Sequence, residues 1–189
     1  MKLFTSTHQY PYKWSLVSAA QWQKYPNEHC PHVKAVDVLS RHIDKDTGIL
    51  YTERLLTVEQ NVPAWVMRFI GGCTTQYVRE VSALDPKTQT LTMSSVNLTM
   101  SNFMSVQETI TYQCDPDQPD KTLFSQTAAI SAGSTLRGMA SMVEDFSVKR
   151  FKENAVIGRE GFMNVLERFS VLTEASEQAT LENKQVEAI

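Results

Sequence analysis

Apolar and polar residues alternate along most of the first two thirds of the chain, and a period of two is typical of β-strands. Turn signals divide the alternation into seven segments, for example the Asp44–Gly48 loop and the Asp-Pro pairs that begin at Asp85 and Asp115. The predicted strands are residues 2–10, 33–43, 49–59, 76–84, 89–99, 104–114 and 122–131.

Two helices are predicted outside this alternation. A short one covers residues 14–24 and is ended by Pro26, and a long one runs from Ser134 to about Ser170. Together the elements predict an α+β fold, in which a curved antiparallel sheet of about seven strands holds the long C-terminal helix. That helix is the only predicted element large enough to cover the apolar face of the sheet. A curved sheet that grips one helix leaves a cavity between the two.

One face of the long helix is apolar but contains a cation and an amide. Positions 139, 143, 146, 150, 154 and 157 are three or four residues apart and read Met, Val, Phe, Arg, Asn and Ile. Because burying an arginine without an anion is costly, the spacing predicts an anionic partner for Arg150. An internal carboxylate and an anionic ligand in an apolar cavity are both open at this point.

Two other segments bear on whether such a cavity is used. In the uncharged stretch 94–107, Asn97, Thr99 and Ser101 stand among apolar neighbours, which suits a polar-decorated tunnel or the hydroxyl-rich outer face of a hairpin. The connector 61–72 is apolar and ends in two glycines, which favours a hinged lid or a membrane-dipping loop and leaves a core-capping helix open. Its lid candidates are Val62, Pro63, Trp65, Val66, Phe69, Ile70, Gly71 and Gly72.

Composition is that of an ordinary globular protein: 189 residues, 42% apolar and 21% charged. The net charge of −3 argues against nucleic-acid binding. The acid is concentrated at the end, since residues 160–189 hold six acidic and two basic side chains. We therefore expect one domain at 1–172 and an acidic, disordered tail at 173–189. The N-terminus has neither a signal core nor a presequence pattern, so the cytosol is the expectation by default.

Signatures of catalysis or metal binding do not stand out. The sequence has no nucleophile elbow, phosphate loop, dinucleotide fingerprint or zinc-protease motif, and its three cysteines and four histidines are not spaced as metal ligands. We therefore expect no catalytic residues, no metal and no cofactor, and a carrier rather than an enzyme. A helix-grip enzyme would need an acid–base pair such as His32 with Glu80 or Asp37, and a structural adaptor would need no ligand.

Several short motifs, taken in order, resemble the PRELI-domain family of phospholipid-transfer proteins, and most closely its slowmo-type branch. The resemblance spans roughly residues 1–170 without large gaps. It rests on Lys24-Tyr-Pro-Asn27, Pro31-His-Val33, Val36-Asp-Val-Leu39, Thr52-Glu-Arg-Leu-Leu56, Tyr77-Val-Arg-Glu-Val-Ser82, Asn97-Leu-Thr99, Glu108-Thr-Ile-Thr-Tyr112, Val143-Glu-Asp-Phe-Ser147, Arg150-Phe151 and Asn154.

The resemblance implies a helix-grip fold, similar to START and phosphatidylinositol-transfer domains, whose cavity holds one phospholipid. It implies a location in the mitochondrial intermembrane space and transient peripheral contact with membranes. It also implies a small helical partner with twin cysteine motifs, which allows import without a presequence and so replaces the cytosolic expectation. The flexible connector over the cavity mouth corresponds to about Val62–Cys73.

Carried over by position, the headgroup site of the family falls on Lys24, His32, Arg54, Arg150 and Asn154. Arginine, lysine and asparagine all donate to phosphate oxygens. The branch that carries phosphatidic acid has lysines where this chain has Val58, Asn61 and Ile157. Fewer cations suit a diester headgroup, so the resemblance favours phosphatidylserine over phosphatidic acid. The expected cavity lining is Val58, Asn61, Asn97, Thr99, Val143, Phe146 and Ile157.

Overall fold

The computed structural model describes residues 1–59, 74–133 and 138–186, with the side chains of residue 177 and of residues 180–186 left out. Its strands are β1 (Lys2–Tyr10), β2 (Val33–Ile43), β3 (Leu50–Glu59), β4 (Thr75–Asp85), β5 (Thr90–Asn97), β6 (Met104–Cys114) and β7 (Thr122–Ala132). Helix α1 (Trp14–Ala20) continues into a 3-10 turn (Gln21–Gln23), and the long helix α2 covers Ala140–Val186.

All seven strands form one antiparallel sheet in the order β1-β7-β6-β5-β4-β3-β2. Strands β2 to β7 follow one another as a meander, and β1 then pairs along β7, with Lys2 opposite Ile130 and Tyr10 opposite Thr122. The α+β architecture predicted from the alternating pattern is confirmed. Each predicted strand lies within two residues of its observed bounds.

The main core lies where α1, the sheet and the middle of α2 meet. Tyr10, Tyr112 and Phe162 are fully buried, and the ring centroid of Phe162 is 5.5 Å from that of Tyr10 and 5.8 Å from that of Tyr112. Trp14 of α1 packs in the same cluster and donates a hydrogen bond from Nε1 to the carbonyl of Tyr112 (3.1 Å). Aromatic burial of this kind fixes α1 and α2 against one half of the sheet.

Close backbone approach holds α2 to the loop before β2. Asn27 donates from Nδ2 to the carbonyl of Gly161 (3.0 Å), and a Cβ at position 161 would lie 2.8 Å from the Cβ of His29. A side chain at Gly161 would therefore push the helix away from the loop. Gly158 has open space around it, and α2 runs through both positions.

The C-terminal segment differs from the expectation of a disordered tail, because α2 continues as far as Val186. Residues 162–186 contain neither glycine nor proline and are rich in alanine, glutamate, glutamine and leucine. These residues have high helix propensity, so nothing in the local sequence stops the helix near Ser170. The separation of residues 173–189 from the domain stays a prediction. No helix in the described parts of the chain combines the length and the apolar character that crossing a bilayer requires.

Candidate functional site

A cavity of about 290 Å³ lies between the concave face of the sheet and α2. Strand alternation directs every second side chain of β3 to β7 towards it, and the stretch of α2 from Val143 to Arg159 closes the other side. Most of the lining is apolar. The lining side chains that the sequence predicts are Lys24, His32, Val58, Asn97, Val143, Phe146, Arg150 and Asn154.

Two residues expected to line the cavity do not do so. Thr99 lies in the loop after β5, where its hydroxyl accepts a hydrogen bond from the backbone N–H of Tyr77 (3.0 Å). Ile157 is 40% exposed, and Gly158 lines the cavity in its place. From position 143 to 157 the helix passes two heptads and drifts by about 40°, which turns Ile157 outwards. The expectation was wrong for both. Asn61 and all the lid candidates lie outside the described residues.

Lys24 brings an ammonium group into the wall of the cavity. It directly follows the 3-10 turn after α1 and lies beside the aromatic core. Its Nζ lies 5.7 Å from the ring centroid of Phe162 and 5.5 Å from that of Tyr25. Among the described residues, no carboxylate oxygen lies within 4.0 Å of this Nζ. Two aromatic faces thus stabilise the cation without neutralising it.

The pKa of Lys24 reflects two opposing influences. Burial acts to lower it, but the interactions with Tyr25, Tyr112, Tyr10 and Glu108 outweigh burial, so the pKa is raised above its ordinary value. The Lys24 side chain is therefore an ammonium ion at neutral pH. A half-buried cation with no carboxylate within 4.0 Å among the described residues is suited to binding an anion.

Arg54 does not line the cavity, which corrects its predicted position in the headgroup site. It is buried, and its Nε donates to Oε1 of Glu80 (2.8 Å) while Nη2 lies 2.6 Å from the same oxygen. The guanidinium also lies 5.2 Å from the ring centroid of Trp22, which stacks on Arg41 as well (4.6 Å). At Arg54, therefore, the partner is the internal carboxylate and not a ligand.

Arg150 lines the edge of the cavity and is only half-buried, with 45% of its side chain exposed. Its nearest carboxylate is that of Glu153, 3.9 Å away on the next turn of α2 and itself 47% exposed. An ion pair this long and this exposed adds little stability. Because the Arg150 side chain reaches solvent, its charge is not fully desolvated. The guanidinium and the amide of Asn154 both line the cavity and can donate hydrogen bonds to a ligand there.

His32 lines the same part of the cavity. Burial lowers its pKa first, and the positive charges of Lys34, Arg150 and Lys24 lower it further. The imidazole is therefore neutral at pH 7 and can donate one hydrogen bond without adding charge. No hydrogen bond joins His32 to Glu80 in the part of the chain that the structure describes, and Asp37 is exposed on β2. His32 and Glu80 therefore do not form the hydrogen-bonded pair that was named as a candidate.

A polar row crosses the concave face of the sheet, and sequence analysis did not identify it. Cross-strand pairing places Arg54 opposite Glu80, Glu80 opposite Ser95 and Ser95 opposite Glu108. Gln126 of β7 is diagonal to Glu108 and completes the row. The sequence did contain one indication. Glu108 stands two positions before Ile110, so a charged residue occupies the strand face on which apolar residues are expected. Which residues face each other depends on strand register, and the sequence does not give it.

Glu108 is the acidic side chain of the polar row that lacks a close cation. Its Oε1 accepts a hydrogen bond from Gln126 Nε2 (2.6 Å) and its Oε2 accepts one from Ser95 Oγ (3.2 Å). Burial raises the pKa of Glu108, whereas these hydrogen bonds and the charge of Lys24 act against the rise. The net direction is upwards. The cavity thus contains a cation and an acid that are not paired with each other.

Asn97 shows why a polar residue in a cavity wall is not always a ligand group. Its Nδ2 donates to the carbonyls of Thr99 (2.9 Å) and Met104 (2.8 Å), and its Oδ1 accepts from the N–H of Val106 (2.8 Å). These three bonds close the loop between β5 and β6. The amide of Asn97 therefore serves the loop, in contrast to that of Asn154.

Comparison with solved structures places the fold in the START-like, helix-grip class. The Zhui aromatase/cyclase from Streptomyces sp. R1128 superposes with a TM-score of 0.59 at 13% identity, over 88% of this chain and 94% of that one. A START superfamily protein from Mycobacterium smegmatis gives 0.53 at 17% identity, over 87% and 98%. At such identities the likeness concerns the fold alone.

Sequence comparison then gives the family. The model of the PRELI-like family matches residues 15–171. "Protein UPS2, mitochondrial" of Saccharomyces cerevisiae is 49% identical over 171 residues, which are 90% of this chain and 74% of that protein. "Protein slowmo homolog" of Dictyostelium discoideum is 35% identical over 161 residues, 85% of this chain and 69% of that protein. The chain belongs to the PRELI-like family, as its motifs indicated.

Proposed function

We propose that this protein is a phospholipid carrier that moves phosphatidylserine between the outer and inner mitochondrial membranes through the intermembrane space. The observation that carries the proposal is the ammonium of Lys24 in the wall of a largely apolar cavity, with no carboxylate within 4.0 Å among the described residues. An apolar cavity with a few polar groups that converge on one end is the usual form of a small-molecule site. No covalent chemistry is required of it.

The phosphate of the lipid would be the counterion of the Lys24 ammonium. Moving a phosphate diester out of water is costly unless cations and donors replace its hydration. Lys24 supplies a charge inside the cavity, Arg150 supplies one at its edge, and His32 and Asn154 offer neutral donors. Arg54 contributes indirectly, since it neutralises Glu80 and so keeps a second negative charge away from the phosphate.

The apolar part of the cavity would hold the acyl chains. Leu56, Val58, Met93 and Ile130 line it from the sheet, and Phe146 lines it from α2. A volume of about 290 Å³ lies at the lower end of the range for ligand pockets, which suits a headgroup and glycerol backbone with the first part of the chains. The remainder of the chains would extend towards the mouth of the cavity.

The connector Val62–Cys73 is the proposed lid over that mouth. It lies outside the described residues, but Val58 before it and Gln76 after it both line the cavity. Opening at a bilayer surface would make membrane contact transient and peripheral. A small helical chaperone with twin cysteine motifs is the proposed partner in the intermembrane space. The mitochondrial location is supported by the name of the Saccharomyces relative, "Protein UPS2, mitochondrial".

Headgroup preference follows from the number of cations. Val58 is buried in the lining, so this position brings no charge to the site. Phosphatidic acid carries up to two negative charges on a small headgroup, whereas phosphatidylserine has a singly charged phosphate diester and a carboxylate and ammonium that offset each other. A site with one enclosed cation suits the diester better.

The direct test is transfer between liposomes by the purified chain in complex with its partner. Phosphatidylserine should move from donor to acceptor vesicles faster with protein than without it, and faster than phosphatidic acid. Failure to move either lipid would reject the carrier function. Faster movement of phosphatidic acid would instead assign the protein to that substrate. Native mass spectrometry of the purified chain should detect a bound phospholipid, whereas a structural adaptor would carry none.

A further inference from the structure

An orphaned hydrogen-bond acceptor lies at the end of the polar row. Gln126 is 6% exposed and lines the cavity, and its Oε1 is buried without a hydrogen-bond partner among the residues that the structure describes. The orientation of this amide is set by its other end, because Nε2 donates to Glu108 (2.6 Å). A buried acceptor left unpaired destabilises the protein. A bound group that brings an N–H would remove that cost.

Glu108 also lacks a strong hydrogen-bond donor, and its carboxylate would be best matched by a cationic one. Its two hydrogen bonds come from neutral donors, Ser95 and Gln126, and among the described residues no nitrogen of a basic side chain lies within 4.0 Å of its carboxylate. Glu80, two strands away on the same row, is already neutralised by Arg54. Glu108 is thus the acid of the polar row that is open to a cationic ligand group.

Lys24 and Glu108 face the same cavity with opposite charges and do not neutralise each other by contact. The charge of Glu108 is among the influences that raise the pKa of Lys24, so the two groups sense each other across the cavity. A ligand that carries both a negative and a positive group complements this arrangement better than a simple anion does. Phosphatidylserine has a phosphate, a carboxylate and an ammonium, whereas phosphatidic acid has no ammonium.

We propose that Glu108 and Gln126 form a subsite for the ammonium group of an aminophospholipid headgroup, with the phosphate held at Lys24. This inference rests on the proposed function and names the chemical class of its substrate. Glu108 binds the ammonium as an ion pair, and Gln126 Oε1 accepts a second N–H from it. Ser95 orients the carboxylate from the neighbouring strand.

The first experiment changes the ligand and leaves the protein intact. The purified chain with its partner transfers either phosphatidylserine or its deaminated analogue, phosphatidyl-3-hydroxypropionate, in which hydrogen replaces the ammonium. Both are present at low mole fraction in phosphatidylcholine vesicles, so vesicle charge is nearly the same. Since a hydrogen-bonded charge pair is worth roughly a factor of ten or more, phosphatidylserine should move about tenfold faster. Equal rates for the two lipids would overturn the subsite.

The second experiment changes the protein. Glu108→Gln should slow phosphatidylserine about tenfold, leave phosphatidic acid within about twofold of wild type and abolish the preference for the aminated lipid. Glu53→Gln is the matched control, because Glu53 lies on the other face of β3 in an exposed pair with Arg79. Equal slowing of both lipids by Glu108→Gln would mean that Glu108 is structural.

The two proposals fail in different ways. If wild-type protein moves none of the lipids, the carrier function itself fails. If it moves phosphatidylserine and the deaminated analogue equally well, the carrier function stands and the ammonium subsite fails. Should Glu108→Gln not fold, the comparison of the two lipids with wild-type protein decides the matter alone.

Discussion

Replacing Lys24 by methionine separates a ligand-binding role from a structural one. Methionine keeps an unbranched side chain of similar length, so the contacts of the stem with Phe162 and Tyr25 are largely retained while the charge is lost. In the loaded protein, the phosphate loses a charged donor in a site shielded from water. Such a hydrogen bond is worth about 1.5–3 kcal/mol, which corresponds to roughly a 10- to 100-fold loss of lipid affinity.

The same substitution should not destabilise the empty protein. Among the described residues, no carboxylate lies within 4.0 Å of the Lys24 ammonium, so removing it breaks no close ion pair. The neighbouring phenols of Tyr10, Tyr25 and Tyr112 have raised pKa values and are neutral at pH 7, so they offer no counter-charge there. We expect the Tm of delipidated Lys24→Met to stay close to that of wild type.

The assay measures transfer of phosphatidylserine and phosphatidic acid between vesicles, with thermal unfolding of the lipid-free protein in parallel. Lys149→Met is the control, because Lys149 is exposed on α2 and does not line the cavity. Slow transfer of both lipids with unchanged Tm supports phosphate binding by Lys24. A lower Tm with normal transfer would refute the reasoning, since it would make Lys24 a structural counterion of Glu108.

Three further predictions concern stability and are measured by urea unfolding of lipid-free protein. Arg54→Leu should cost about 3–5 kcal/mol because it leaves Glu80 buried without a counterion, and adding Glu80→Leu should recover most of the loss; no recovery would contradict a buried pair. Gly161→Ala should lower the free energy of unfolding by about 1–3 kcal/mol, because the new methyl group would meet the loop before β2. Gly158→Ala, in open space, should raise it by up to about 1 kcal/mol. Equal effects of the two substitutions would contradict the close approach at Gly161. Folding lowers the pKa of His32 below its ordinary value of 6.5, so His32 contributes to the free energy of unfolding above that pH, and the contribution is lost as the pH falls through the folded-state pKa. His32→Gln should therefore reduce the fall in unfolding free energy on acidification. An unchanged pH dependence would exclude His32 as its source.

Much of the architecture was readable from periodicity, because strand alternation and helical spacing are local properties. The observed strands lie close to the predicted segments, and Val143, Phe146, Arg150 and Asn154 of α2 do share one face towards the cavity. At Ile157 the predicted helix face was wrong, because the drift of the 3.6-residue turn had accumulated over two heptads.

Partners across the sheet were not readable, because they depend on register. Alternation placed Arg54 on the inner face of β3 together with Leu56, but it could not tell whether a carboxylate or a ligand lies opposite. The pairing of β3 with β4 decides this by placing Glu80 there. For the same reason the sequence did not predict the contact between Glu108 and Gln126, which become neighbours only when β6 pairs with β7.

The place of β1 in the sheet has a consequence for folding during synthesis. The strand made first pairs with the strand made last, so Lys2 finds its neighbour Ile130 only after more than two thirds of the chain has been translated. Until then, Phe4 has no partner on β7 and remains without its burial against Ala128. Closure of the sheet is therefore a late, long-range step of the kind that slows folding. A chain interrupted before β7 would leave its first strand unpaired and prone to association.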